Sequence, residues 1–302
     1  MNLLHVGTGT LCSGILLAIA QERRFFAKRG LEVRPVFVSG TDIPDLSQEN
    51  PAALIGAPAA LLGAAAGTPL KILGAINTAR AVGQLVARRG IENPDELRGK
   101  RFGVRAIGAG QWIQTMLALK ALALNQQEDS ISIVAIGDQR ALALALETER
   151  IDAAIVYPTH STTLSAKGCS VLLDLYDADI QAFPEVLAVH ASLLEHPVDQ
   201  VRQLVTGLAE TMVFSLRPEN KQSVLANIAQ AFNLSDPAAL AAGYEAFLRT
   251  AISSPSSCVH ELRNMQQVMT LHDPNILRVQ VEAIVDEDVA RGLEANRVLS
   301  HF

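Results

Sequence analysis

Cys12 stands where an apolar strand, residues 3–6, passes through Gly7-Thr8-Gly9-Thr10 into a helix. A thiol at a helix start feels the positive end of the helix dipole, which lowers its pKa and favours the nucleophilic thiolate. Nucleophilic catalysis also needs a base or a cationic partner beside the sulfur. The other inferred loops of the same half hold one basic residue, Arg80, and His160 falls in the opposite half. The expectation is a small buried or cleft-lining cysteine and no catalytic residue; Cys12 is the nucleophile only of an alternative, enzymatic reading.

A second concentration lies in residues 91–112, IENPDELRGKRFGVRAIGAGQW. A short acidic helix leads into a strand at 101–105, then a glycine turn at 106–110, then a helix carrying Gln111 and Trp112. The first turn of a helix has unpaired N–H groups, and glycines at 108 and 110 keep Cβ atoms out of the way. Such a turn can seat a carboxylate, a sulfonate, a phosphate or a polar ring edge, or it can be a tight connection that binds nothing. It is not a dinucleotide fingerprint, because no third glycine follows at the right spacing, and it is not a Walker loop, because no Gly-Lys-Ser/Thr follows.

Other polar candidates are weighed against ordinary structural roles. Thr10 and Ser13 offer hydroxyls to a ligand oxygen, and Ser13 is also expected to cap its helix. Arg140 follows a strand end, where it can pair with an anion bidentately or bridge to Asp138 or Glu147. Asp138 is a good helix cap. Tyr157 closes a strand ahead of Pro158 and presents a ring face and a hydroxyl to a cleft. His160 caps the next helix or faces water. Trp112, the single tryptophan, is expected to pack against the sheet.

The elements that must position these residues follow from composition and pattern. Apolar residues make up 49% of 302 residues, enough for two lobes of ordinary size. Aromatic residues are only 4%, which argues against a carbohydrate site or a single-stranded nucleic-acid platform. The net charge is −6 and no basic run exceeds two residues, so no nucleic-acid footprint is present. Cys12, Cys169 and Cys258 show no metal or disulfide spacing, and no HxxxH or CxxC occurs. No metal and no cofactor are expected. No apolar run reaches membrane-spanning length, and the first residues do not read as a signal peptide.

Residues 3–6, 31–38, 53–57 and 70–76 read as strands, with helices at about 14–28, 41–49 and 58–66 between them, a β-α-β run that implies a parallel sheet. Residues 101–105, 131–136, 151–157 and 171–175 read as a second set, with helices at 111–124, 139–147 and 161–167. Strand-like residues 84–87 and 186–190 are read as the crossings between the two. After Pro197 the pattern reads as wholly helical.

This order resembles the solute-binding proteins of ABC importers with the type II periplasmic-binding fold, in the group that binds aliphatic sulfonates, taurine, nitrate and thiamine-pyrimidine precursors. The resemblance rests on FFAKRGLEV (25–33), ALIGAPAALLGAAAGTPLKIL (53–73), NPDELRGKRFGVRAIGAGQ (93–111) and ERIDAAIVYP (149–158). It implies an α/β protein of two lobes, residues 1–82 with 190–302 and residues 83–189, with a helical C-terminal tail. It implies a cleft at the carboxyl ends of both sheets. Ligand-binding candidates from the first lobe are Gly9, Thr10, Cys12, Ser13, Gly40, Thr41, Ala57, Pro58 and Asn77. From the second lobe they are Ile107, Gly108, Ala109, Gly110, Gln111, Gln139, Arg140, Tyr157 and His160. The resemblance further implies a small anionic or heteroaromatic ligand, a membrane permease as partner, a single copy of the chain, and an extracytoplasmic location if an export signal has been removed, otherwise a cytoplasmic one. An enzyme on the same scaffold (desulfinase, decarboxylase or pyrimidine-synthesis type) and a cytoplasmic ligand sensor are the alternatives.

Overall fold

A computed structural model describes residues 2–8, 10–37, 46–195, 199–286 and 288. The chain begins with β1 (Asn2–Thr8), α1 (Leu11–Arg23), β2 (Leu31–Phe37), β3 (Ala52–Gly56), α2 (Ala57–Ala65) and β4 (Leu70–Asn77). It then builds β5 (Gln84–Ala87), β6 (Arg101–Val104), α3 (Gly110–Ala121), β7 (Ser132–Ala135), α4 (Gln139–Glu147), β8 (Ala153–Val156), α5 (Pro158–Ala166) and β9 (Ser170–Asp174). It returns through β10 (Glu185–His190), α6 (Ser192–Glu195), α7 (Asp199–Leu216), α8 (Lys221–Phe232), α9 (Pro237–Thr250), β11 (Ala251–Ser256), α10 (Val259–Met269) and α11 (Val281–Ile284).

These strands form two sheets, ordered β11-β4-β10-β3-β1-β2 and β7-β6-β8-β5-β9. The β-α-β signal is visible in the parallel pairs β1–β2, β1–β3, β6–β7 and β6–β8. Each sheet is nevertheless mixed, because β10 runs antiparallel between β3 and β4, and β5 runs antiparallel between β8 and β9. Residues 84–87 and 186–190, expected as crossings, are thus full members of one sheet each. The crossings are the irregular segments on their amino-terminal sides. Pro35 is tolerated in β2 because β2 is an edge strand, where a missing N–H costs no ladder bond.

Both faces of each sheet are covered. Ile15, Leu16, Ile19, Leu204, Leu208 and Phe247 from α1, α7 and α9 fill one face of the first sheet. Leu61, Leu262, Met265 and Met269 from α2 and α10 fill the other, and this cluster continues into Val104, Trp112 and Ile113 of the second half. Two further clusters cover the second sheet, one around Phe102, Leu119 and Ile155 and one around Leu142, Leu146 and Val156. Trp112 therefore packs as expected, but against the first half as well as its own.

Three local readings need correction. The first helix runs over Leu11–Arg23, with Arg24 in the left-handed region as its stop, and its cap is Thr10; Ser13 is the third helical residue and completes a capping box. Of the helix expected at 41–49, residues 41–45 lie outside the described residues and residues 46–49 are irregular. The region after Pro197 is not wholly helical, because β11 adds an edge strand antiparallel to β4. Among the described residues no helix is long and apolar enough to cross a membrane.

Candidate functional site

The first-sheet part of the site is built around a residue that the sequence reading missed. Glu185 opens β10 opposite Gly56 of β3, which carries its side chain to the start of α1. Its Oε2 accepts from the Thr10 hydroxyl at 2.5 Å and from the Ser13 backbone N–H at 3.0 Å, and the Cys12 backbone N–H also donates to the carboxylate. The Glu185 N–H in turn donates to Asn77 Oδ1 at 2.7 Å. Ser13 Oγ is shared with Thr8 Oγ1 at 2.7 Å and Thr10 Oγ1 at 2.5 Å. Burial lifts the Glu185 carboxyl to about 7, against the lowering effect of those three donors. Thr10, Ser13 and Asn77 are thus brought together around Glu185, the Thr10 hydroxyl and the Ser13 N–H on its carboxylate and Asn77 on its backbone N–H.

Cys12 lies beside this group and is buried. Its thiol is pushed well above its ordinary value, first by burial and then by the negative charge of Glu185. The helix dipole, which argued for a reactive thiol, is outweighed by desolvation and by the carboxylate that sits on the same helix end.

Ala57 and Pro58 start α2 next to this cluster, both buried, and the Ala57 N–H donates to the Pro184 carbonyl at 3.0 Å. The segment before β10 then brings Phe183 between the halves. A Cβ on Gly110, the first residue of α3, would lie 2.5 Å from the Phe183 ring, and one on Gly56 would lie 3.4 Å from it. Gly108 has φ +81°, and a Cβ there would overlap the His272 ring. That ring is 5.7 Å from Trp112, centroid to centroid. The glycines at 108 and 110 thus admit Phe183 and His272, so the close approach they were expected to give a ligand is used by the protein itself. Ala109 caps α3 without a side-chain bond, and Ile107 is 48% exposed.

Gln111 is fixed in place: Oε1 accepts from the Arg105 N–H at 2.7 Å and Nε2 donates to the Ile155 carbonyl at 2.5 Å. It ties the α3 start to β8. Gln139 Oε1 accepts from the Tyr157 N–H at 3.0 Å and ties α4 to the start of α5. Asp138 caps α4 as expected, accepting from the Ala141 N–H at 2.9 Å. Arg140 is exposed. Burial holds His160 below the ordinary imidazole value, with Arg140 acting in the same direction and Asp138 opposing. Tyr157 is half-buried and packs against the apolar cluster of the first sheet, which puts a second-half ring on the first half. Gly9, Gly40 and Thr41 lie outside the described residues.

Glu185, Phe183 and His272 were missed for one reason: their partners lie far along the chain. The available signal was the stretch Phe183-Pro184-Glu185 ahead of an uninterrupted apolar strand, where a charge enters a sheet core. Among the described residues no group of three or more His, Cys, Asp or Glu could hold a metal ion.

No curated protein matches this sequence. Among solved structures, the ligand-binding component of an ABC-type import system from Staphylococcus aureus, with zinc bound, is 12% identical with a TM-score of 0.78, covering 96% of this chain and 98% of that one. The alkanesulfonate-binding protein SsuA from Xanthomonas axonopodis pv. citri, bound to MOPS, is 17% identical with a TM-score of 0.75, covering 95% and 98%. The desulfurization enzyme DSZB is 17% identical with a TM-score of 0.73, covering 98% and 100%. At these identities the likeness is one of fold, shared by binding proteins and an enzyme alike. The family model described as "NMT1/THI5 like" matches residues 13–220, more than half of the sequence and most of both sheets. The chain is a member of the NMT1/THI5-like family with the two-lobe fold of the periplasmic binding proteins.

Proposed function

We propose that the chain is the solute-binding component of an ABC-type importer. It captures a small organic molecule between a lobe built on the first sheet, to which β10 (residues 185–190) belongs although the sequence reading set the boundary at 189, and a lobe built on the second sheet, and delivers it to a membrane permease from an extracytoplasmic compartment. The observation that carries this reading is the meeting of the two halves at the strand ends. Tyr157, just after β8, packs against the first-sheet core, and Phe183 lies between Gly56, the last residue of β3, and Gly110, the first of α3. Carboxyl ends of strands that face one another across two connecting segments make a closable cleft. Full-length likeness to ABC-importer binding components supports the same reading.

The enzymatic alternative needs a thiolate at Cys12, and the surroundings of that residue hold it as a thiol. A thermal-shift screen over sulfonates, carboxylates, pyrimidines and aromatic acids tests the reading. A ligand at a hundred times its dissociation constant adds about 2.7 kcal/mol of stability. Retention of the bound compound unchanged, with loss of binding in Tyr157→Ala, supports a binder. Turnover of any hit that disappears in Cys12→Ser overturns it.

A further inference from the structure

The two halves are joined by residues 78–83 and 175–184, and these segments are tied to each other. The Ala81 N–H donates to the Ile180 carbonyl and the Ala182 N–H to the Ala79 carbonyl, both at 2.9 Å, and Arg80 pairs with Gln181 in an isolated antiparallel bridge. Beside this joint one ring carries two guanidinium groups. Arg80 Cζ is 4.0 Å from the centroid of Tyr176, and Arg249 Cζ is 4.8 Å from it. The three residues belong to different parts of the molecule. Arg80 is in the joint, Tyr176 follows β9 of the second sheet, and Arg249 is in the last turn of α9, whose Tyr244 and Phe247 are buried in the first-sheet core. We propose that Arg249, Tyr176 and Arg80 form a clasp between the lobes that holds them together while the cleft is empty, so that ligand entry depends on its transient release.

Carboxylates of the same loop complete the clasp. Asp179 Oδ1 is 3.1 Å from Arg80 Nη2, and Asp177 Oδ1 and Asp174 Oδ2 are 3.5 and 3.6 Å from Arg249 Nη1. Asp174 is fixed to the second half, accepting from Gln84 Nε2 at 2.8 Å and from the Tyr176 N–H at 3.0 Å. A single exposed ion pair contributes little, but two cations sharing one ring and three carboxylates act as a network. All of these groups belong to the chain itself, so the clasp acts without a ligand. It is also short-ranged: attraction to a ring fades beyond about 6 Å, so moving Arg249 away by little more than about 1 Å releases it. The lobes touch on both flanks in this arrangement. A Cβ on Gly243 of α9 would lie 2.8 Å from Thr159 of α5, and one on Gly108 would overlap His272. A clasp of this kind meets part of the cost of closure before a ligand arrives, which raises the affinity of whatever the cleft binds.

The inference rests on the cleft reading in requiring lobes that part, and the experiment separates the two. Trp112, the single tryptophan, is 5% exposed in α3 of the second half and 5.7 Å from the His272 ring of the first. Its quenching by acrylamide therefore reads the parting of the lobes, and small-angle scattering reads the same event as a rise in the radius of gyration. Both are measured without ligand on wild type, Arg249→Gln, Tyr176→Leu and Tyr176→Phe, with melting curves to establish that each is folded. Gly108→Val serves as a wedge on the opposite flank. The clasp expects a protected Trp112 in wild type. It expects Arg249→Gln and Tyr176→Leu to raise the quenching constant at least about twofold and to enlarge the molecule. Tyr176→Phe stays like wild type, because the ring is kept and among the described residues the Tyr176 hydroxyl makes no hydrogen bond. A wild type as accessible as the variants overturns the proposal. So does a folded Arg249→Gln or Tyr176→Leu that stays closed, or a Tyr176→Phe that opens as far as Tyr176→Leu. If Tyr176→Leu fails to fold, Arg249→Gln, on a side chain 37% exposed, decides alone. If the wedge enlarges the molecule and the clasp variants do not, the cleft reading survives and only the clasp falls. If no variant opens it, the closable cleft falls as well.

Discussion

Replacing Glu185 with Gln should make the protein more stable at neutral and higher pH. Gln keeps the shape of the side chain and an oxygen that can accept from Thr10 and Ser13. It removes a charge that the surroundings do not balance. The carboxyl is lifted from 4.5 to about 7, which corresponds to about 3 kcal/mol of destabilisation of the charged form at about 1.4 kcal/mol per tenfold. The sign follows from proton linkage. A raised folded-state value means that the folded protein holds this proton more tightly than the unfolded chain does. The stability it contributes is therefore complete below about pH 4.5 and is lost as pH rises through about 7. Urea unfolding of wild type and Glu185→Gln at a series of pH values from 4.5 to 8 reads this directly. The curves should nearly coincide at the acid end and separate toward about 3 kcal/mol in favour of the variant at pH 8. A variant that is less stable than wild type at pH 8, or a constant difference across the series, would refute the argument and imply an unseen counter-charge at Glu185.

Further expectations follow from individual contacts. Cys12 should react slowly with iodoacetamide at neutral pH, because its thiol is held well above its ordinary value by burial and by Glu185; rapid labelling in the folded protein would contradict the described surroundings. Gly108→Val should lower the melting temperature without any ligand present, since φ +81° disfavours a β-branched residue and the new side chain would overlap His272; an unchanged melting temperature would show that His272 does not hold this position. Burial alone would raise the Asp152 carboxyl, but bonds from the Arg101 and Arg88 side chains and from the Arg101 N–H hold it well below the usual carboxylate range. Its stabilisation is present above its ordinary value of 3.8 and fades as pH falls below that, so Asp152→Asn should cost on the order of 2 kcal/mol at pH 7 and little in strong acid, measured by urea unfolding. Equal losses at both pH values would mean that packing and not charge is responsible.

The sequence made the repeating strand–helix units readable because each is local. The strands at 31–38 and 101–105 show themselves through short apolar or alternating runs between glycines, and Asp138 announces its helix by type and place. What stayed hidden depends on distant partners. β11 reads Ala-Ile-Ser-Ser-Pro-Ser, with no alternation and an internal proline; it is a strand only because β4 offers it an edge. The site divided along the same line. Thr10, Asn77 and Tyr157 sit at or just beyond strand ends and Ser13 in the first turn of α1, where the fold puts them, but the identity of what they face was not visible. Glu185 reads as an ordinary solvated charge until β10 is inserted beside β3, and the glycines at 108 and 110 look free until Phe183 and His272 arrive.

The placement of β10 has a consequence for how the chain is made. The strand that joins β3 to β4 is synthesised only after all five strands of the second sheet. Until residues 185–190 have emerged, Leu54 and Leu73 lie on strands that lack their central neighbour, and β3 and β4 present open apolar edges. At roughly 5–20 residues per second on the ribosome, that interval is on the order of ten seconds. The second sheet, with both ends of its sequence close in order, can form during the wait. The first cannot close before its late strand arrives, so the amino-terminal portion remains a substrate for holding chaperones, with aggregation of truncated chains as the cost of its long-range pairing.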